Sequence, residues 1–182
     1  MSTAPLRYPA LTRFLHWLVA LMVLATIPIG ATMVQPGLDR PTQDLLYILH
    51  KNGGVLILLL VVLRLVWRAM YPAPPMPASV PAWQVRVAHL AHWGLYGLLL
   101  VMAVSGYVRV KAGGFPIEYL DALGIPSLVP RSDALAEAAK AVHFWARFAL
   151  VALIIAHLGA AMQHLLIKRD GVFGRIWPPA GG

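Results

Sequence analysis

Apolar residues fall in four long stretches, Leu11 to Val34, Leu45 to Met70, Gln84 to Val108 and Ala138 to Ile167, and the breakers and most charges gather between them. Each stretch is at least as long as the roughly 20 residues that cross a bilayer core as helix. The pattern predicts an all-α membrane protein with four transmembrane helices, at about 11–34, 45–70, 84–108 and 138–167. They form an up-down-up-down bundle and a single domain over residues 1–182. The first stretch exceeds the 7 to 15 apolar residues of a cleaved signal peptide and carries His16 and Trp17, so it reads as a retained helix.

The connections are marked by turn chemistry. Gln35-Pro-Gly37 and Asp39-Arg-Pro41 follow the first helix, and Tyr71-Pro-Ala-Pro-Pro-Met-Pro77 follows the second. The latter predicts a stiff extended strap, because proline fixes φ and cannot donate to a helix. The third connection, Lys111 to about Pro130, is the longest and holds Gly113, Gly114, Pro116, Pro126 and Pro130. It should form an outer surface element with a short interfacial helix around Ile117 to Leu123. Pro28 with Gly30 predicts a kink near the outer end of the first helix.

Composition agrees: of 182 residues 59% are hydrophobic and 12% charged, against roughly 25% charged in an average soluble domain. The absence of cysteine excludes disulfides, thiolate metal sites, iron–sulfur ligation and cysteine nucleophiles. Serines and acids are too sparse for an obvious hydrolase. A net charge of +8 would suggest nucleic acid in a soluble chain, but here the bases flank apolar runs, where they orient a membrane protein. Four spans put both termini on one side, with eight bases against the single acid Asp170; the other side has seven bases and six acids. Acids contribute little to orientation, and bases in a long loop act weakly. The compact loop with Arg64, Arg68 and Arg86 therefore favours cytoplasmic termini.

Seven histidines, His16, His50, His89, His92, His143, His157 and His164, lie in or beside the predicted helices. Ionisable groups at membrane depth are rare and usually functional; any one alone reads equally well as a packing donor, but not all seven together. His143 and His157 are fourteen residues apart, which is about 21 Å of helix and within about 40° of the same face. One helix thus presents an imidazole near each membrane surface. At the outer level only His50 matches His143 in depth. At the inner level His16, His89 and His92 all face His157, with His164 two turns below, and spacing leaves the pair open. Two imidazoles from different helices, at two levels, suit haem b, whose apolar ring fits between helices. Gly53 and Gly54 follow His50 on its own face and would make room for a flat ring, or serve ordinary helix packing. A histidine-based metal or proton transporter is the rival of another class, but such sites usually add carboxylates, and the apolar runs hold none at depth. Arg147, one turn after His143, would pair a haem propionate, attract an anion, or snorkel to the surface. Arg64 and Arg68 suit the positive flank of their helix better than an inner propionate site. The tryptophans lie mostly at interfaces, as belt residues do.

Arg13-Phe-Leu-His-Trp17, Tyr47-Ile-Leu-His50 with Gly53-Gly54, Arg64-Leu-Val-Trp-Arg68 leading to Tyr71-Pro-Ala-Pro-Pro75, Ala88-His-Leu-Ala-His92, and His143 with His157 resemble the bacterial cytochrome b561 family from about Arg7 to Trp177. The resemblance implies a four-helix, di-haem protein of the bacterial inner membrane. It implies that His50 and His143 ligate an outer haem b, in agreement with depth, and that His16 and His157 ligate an inner one. His92 and His164 are then non-ligands beside the inner haem. They are candidates for a quinone site, with His89 a weaker one, because an imidazole can both hydrogen-bond a quinone carbonyl and move its proton. Studied relatives exchange electrons with ubiquinone, and one acts as a superoxide oxidase. The expected function is electron transfer between an outer-face donor, with superoxide the leading candidate, and membrane quinone. Arg109, Lys111, Arg131, Lys140, Arg147 and Lys51 would draw an anion to the outer face, against nearby Glu118, Asp121, Asp133 and Glu137; a docking protein donor is the rival. Related membrane subunits of formate dehydrogenase and hydrogenase raise an alternative, a haem b anchor for a soluble partner. The strap and the chain's brevity favour the stand-alone reading.

Overall fold

The computed structural model describes residues 7–177. Four long helices, α1 (Ala10–Thr32), α2 (Arg40–Met70), α3 (Ala82–Ala112) and α5 (Asp133–Met162), are joined by loops, one of which carries the short helix α4 (Glu118–Ala122). All four are long and apolar enough to cross a membrane. The apolar stretches locate them, but the helices overrun those stretches where polar sequence caps them. Asp39 accepts a hydrogen bond from the backbone N–H of Thr42, and Pro41 occupies the first turn, so α2 starts ahead of Leu45. Ser132 accepts from the N–H of Leu135 and starts α5 at Asp133. Helix α1 continues through Pro28. The short interfacial helix lies where the third connection predicted it.

Neighbouring helices run antiparallel. Trp67 Nε1, late in α2, donates to Thr12 Oγ1, early in α1, at 2.9 Å. His50, early in α2, lies against Gly30, late in α1, and Gly106, late in α3, lies against His143, early in α5. This is the up-down-up-down order. Helices α1 and α2 form one hairpin and α3 and α5 another, and the two meet mainly through α2 and α3. Their shared core is thin: Val19, Val23, Ile57, Val61 and Tyr96 are buried, with Leu60, Leu99 and Ile154 packed on them. Most other apolar side chains point outward; Leu21, Leu90 and Ile155 are 63%, 73% and 65% exposed. Such a surface is stable only in a solvent as apolar as itself, with all backbone polar groups satisfied inside the helices.

Each end of the bundle has its own clasp. At the end away from the chain termini, the distal end, Lys51 Nζ donates to Glu118 Oε1 and to the carbonyl of Pro116. Buried Asn52 donates to Glu118 Oε2 at 2.8 Å and accepts from the N–H of Tyr119 at 3.0 Å. Lys111 Nζ holds Asp121 at 2.6 Å. At the terminal end, buried Arg175 donates to the carbonyl of Pro74, touches Met76 Sδ at 2.8 Å and lies over the Tyr8 ring. Trp17 Nε1 donates to the carbonyl of Ile176 at 3.0 Å. Thus the proline strap, the start of α1 and the C-terminal turn are tied together.

The distal clasp is sensitive to acid. Partial burial pushes the Glu118 carboxyl up, but hydrogen bonds from Lys51 and Asn52 and the Lys51 charge outweigh it and hold the group below its usual value. The hydrogen bond and charge of Lys111 lower the Asp121 carboxyl. A depressed carboxyl contributes stability that is complete above its unfolded value and is lost as pH falls through the folded one. The 113–130 connection is therefore expected to loosen at acid pH while the bundle persists. Hydrogen exchange of this segment should rise between neutral pH and about pH 3, below the ordinary carboxylate range, once corrected for intrinsic rates. Glu118→Gln should show raised exchange already at neutral pH.

Candidate functional site

Helix α5 carries His143 in its first half and His157 in its second, and each meets a histidine of the other hairpin. At the distal level the rings of His143 and His50 have centroids 6.2 Å apart. At the terminal level His157 and His16 are 6.3 Å apart. A metal-bound imidazole nitrogen lies about 2.0–2.1 Å from its metal, so two trans imidazoles have nitrogens about 4 Å apart and ring centres about 6 Å apart. Both pairs match that separation.

The distal rings are also held in the right tautomer. His50 Nδ1 lies 3.2 Å from the carbonyl of Thr26, and His143 Nδ1 lies 2.9 Å from the carbonyl of Met102, with buried Ser105 Oγ alongside at 3.2 Å. A carbonyl only accepts, so each ring donates from Nδ1 and keeps its Nε2 lone pair for a metal. This second contact orients a ligating histidine and raises its basicity. Around the pair lies a cavity of about 1790 Å³, larger than the roughly 300–1,000 Å³ of a drug-sized ligand pocket. Its deep wall is apolar, with Val23, Ile57, Leu99, Leu150 and Val151, and its mouth is charged. An apolar macrocycle with polar propionates at its edge fits such a space.

Backbone approach is set by glycines that the sequence did not single out for this role. A Cβ on Gly30 would sit 2.5 Å from His50 Cε1, and one on Gly106 would sit 3.2 Å from His143 Cε1. Of the glycines expected beside His50, Gly54 lines the cavity, whereas a Cβ on Gly53 would meet Thr26 Oγ1 in ordinary contact. Gly53 therefore serves helix packing.

The charges at the mouth sort themselves. Lys51 pairs with Glu118, Arg40 with Asp44 and Lys140 with Glu137. Among the described residues, Arg109 and Arg147 are the cavity's cations with no carboxylate partner. Arg147 lies over the Phe144 and Phe148 rings, 4.1 and 4.6 Å from their centroids. Arg109, at the end of α3, is the site residue missed by the sequence reading as an individual, since six bases on that side looked alike.

At the terminal level, His92 joins the group with its ring 5.5 Å from that of His157. That is shorter than the separation of two trans ligands. His164 is held apart from it, its Nδ1 2.7 Å from Asp170 Oδ2. His89 is exposed on α3. Arg64 donates to the buried Tyr96 hydroxyl at 3.2 Å. Among the described residues, no group of three or more histidines and carboxylates is arranged to hold a metal ion.

A membrane-spanning helical bundle that turns imidazoles toward one another in its interior belongs, as a class, with the membrane cytochromes. Comparison with known proteins agrees: the chain belongs to the prokaryotic cytochrome b561 family, whose model matches residues 7–179. It is 31% identical to cytochrome b561 homolog 2 of Escherichia coli K12, over 96% of this chain and 93% of the relative. It is 30% identical to cytochrome b561 homolog 1 of the same organism, over 91% and 93%. A probable superoxide oxidase, CybB, of Yersinia pestis is 27% identical over 97% and 98%. The family is one of multi-pass membrane electron-transfer proteins that use haem b.

The glycine contacts yield a direct test. Gly30→Val should displace His50 and lower the haem content of the purified protein, whereas Gly97→Ala, where a Cβ meets nothing within 4 Å, should leave it unchanged. Haem extracted and quantified per chain checks both.

Proposed function

We propose that the chain holds two b haems, one between His50 and His143 and one between His16 and His157, and passes electrons across the membrane between an outer donor and quinone. The observation that carries this reading is the pair of ring separations, 6.2 and 6.3 Å, both anchored on α5. The haems supply one-electron carriers at two depths; the protein supplies axial imidazoles, apolar walls and charged rims. The terminal side faces the cytoplasm, a reading supported by Arg64, Arg68 and Arg86 in the compact connection and the orientation rule for bases. Quinone exchanges electrons on that side, near His92 and His164, where imidazoles can bind its carbonyl and move its protons.

The outer donor is a small anion, superoxide being the one the relative's name suggests. Because Lys51, Arg40 and Lys140 are neutralised by their own acids, the field at the cavity mouth is that of Arg109 and Arg147 against the single acid Asp133. Each arginine can pair a propionate or draw an anion inward.

Haem content tests the ligand assignment. Wild type should carry two haems per chain, and His50→Ala and His16→Ala one each; two haems retained in His50→Ala would overturn the distal assignment. The donor is tested separately by mixing oxidised protein with a superoxide pulse without oxygen. Haem reduction should show a fast phase that slows as ionic strength rises, because screening weakens steering, and Arg147→Gln should slow that phase at low salt. Protein that exchanges electrons with quinol but is not reduced faster than superoxide dismutes would remove superoxide as the donor.

A further inference from the structure

Just past α5 the chain leaves α-helical geometry, and the departure produces one contact. Residues Gln163–Lys168 form a π-helical turn, a feature common at functional sites. Arg169 then takes φ +50°, a left-handed value that non-glycine residues seldom adopt. Its N–H donates to the carbonyl of His164 at 2.9 Å. The chain doubles back so that Asp170 Oδ2 meets His164 Nδ1 at 2.7 Å, while Asp170 Oδ1 accepts from the N–H of Val172 at 3.2 Å. Both carboxylate oxygens are thus engaged, and the two side chains are each 13% exposed. Asp170 is also the single acid on the terminal side.

The carboxylate accepts, so His164 donates from Nδ1 and its Nε2 is the nitrogen left to react. His164 lies about two turns beyond His157. The charged groups around the pair are engaged elsewhere: Lys168 with Gln84 of α3, Arg169 Nε with the carbonyl of Leu166, and Arg175 with Pro74 and Met76. On α3, Arg86 and His89 are exposed. His157, in α5, is committed to His16 and His92.

We infer that His164 is the proton-exchanging group of the quinone step and that Asp170 is its positioning residue, fixing the Nδ1–H form and leaving Nε2 as the reacting nitrogen. This rests on the proposed exchange of quinone at the terminal side. Quinone becomes quinol by taking two electrons, which a haem held at the terminal level would supply, and two protons. For one proton, the Nε2–H bond of the His164 imidazolium breaks as an O–H bond forms on the quinol oxygen. The neutral ring regains a proton from the aqueous phase, while Nδ1–H stays bonded to Asp170. The second oxygen takes its proton from water.

The test uses full-length haem-loaded protein in nanodiscs with a short-chain ubiquinone. Asp170→Asn should retain its haem and slow quinone reduction about 10- to 100-fold, as loss of an orienting partner does for other histidines. Asp170→Glu should restore part of the rate. Independently of turnover, nitrogen-15 spectra of histidine-labelled wild type, assigned with His164→Gln, should show neutral His164 protonated at Nδ1. The inference is overturned by a neutral His164 protonated at Nε2, or by Asp170→Asn matching wild type at every pH. Wild type that fails to exchange electrons with ubiquinone would instead overturn the quinone reading on which the inference stands.

Discussion

Two imidazoles that hold one metal between them would have ring centres about 6 Å apart, and this chain brings histidine rings to about that separation twice from a single helix. The two anchors on α5 are fourteen residues apart, so an unbroken run of about 21 Å of helix fixes both levels at once. The partner at each level comes from the opposite hairpin, His50 from α2 and His16 from α1. A flat ring cannot enter where helices pack at their usual distance of about 8–10 Å. The hairpins are therefore closed inside themselves and meet mainly through α2 and α3, which leaves the space between α5 and the first hairpin for the cofactors. The α3–α5 packing is close enough that a Cβ on Gly94 would lie 3.0 Å from Leu153 Cδ2.

That division explains the thin protein core. A soluble bundle would fill the space between hairpins with side chains; here much of it is a cavity with apolar walls and a charged mouth. A ligand that binds only the folded state stabilises it by mass action. Haem bound there would be part of what holds the two hairpins together, and the clasps at the bundle ends secure the loops around the cavity. Lys51 and Asn52 tie α4 to the residues directly after His50, so the turn that carries His50 is fixed from outside as well as by the carbonyl of Thr26.

The features legible in the sequence are those with a period. Four apolar stretches gave the helices, and the spacing of His143 and His157, compared with the depth of His50, gave the distal pair. Helix ends were less legible, because hydropathy marks the lipid-immersed portion, and the polar turns at Arg40–Asp44 and Asp133–Glu137 are helical through capping by Asp39 and Ser132. Depth alone left His16, His89 and His92 equivalent. In the structure the ring of His16 lies 6.3 Å from that of His157 and the ring of His92 5.5 Å from it, while His89 is exposed. Gly30 and Gly106 escaped notice as ring neighbours because each lies far along the chain from the histidine it touches. The Asp170 contact depends on a π-turn and one left-handed residue, and neither leaves a mark in an amphipathic pattern.

Charge is distributed differently at the two ends, and the difference follows from what each end must admit. At the distal mouth six charged side chains cancel in three local pairs. What remains is Arg109 and Arg147 against Asp133, a small cationic excess rather than a broad basic surface. Such an excess can attract a small anion without binding every acidic surface that approaches, because screening erases weak fields beyond about 10 Å in 0.1 M salt. At the terminal end Lys168, Arg169 and Arg175 engage a neighbouring helix, the backbone and the strap instead. There the one carboxylate, Asp170, is kept from those bases by geometry and given to a histidine. An acid placed freely among so many cations would form surface ion pairs of little consequence. Held by the π-turn, it acts on one ring nitrogen of His164 and leaves the other open to exchange protons.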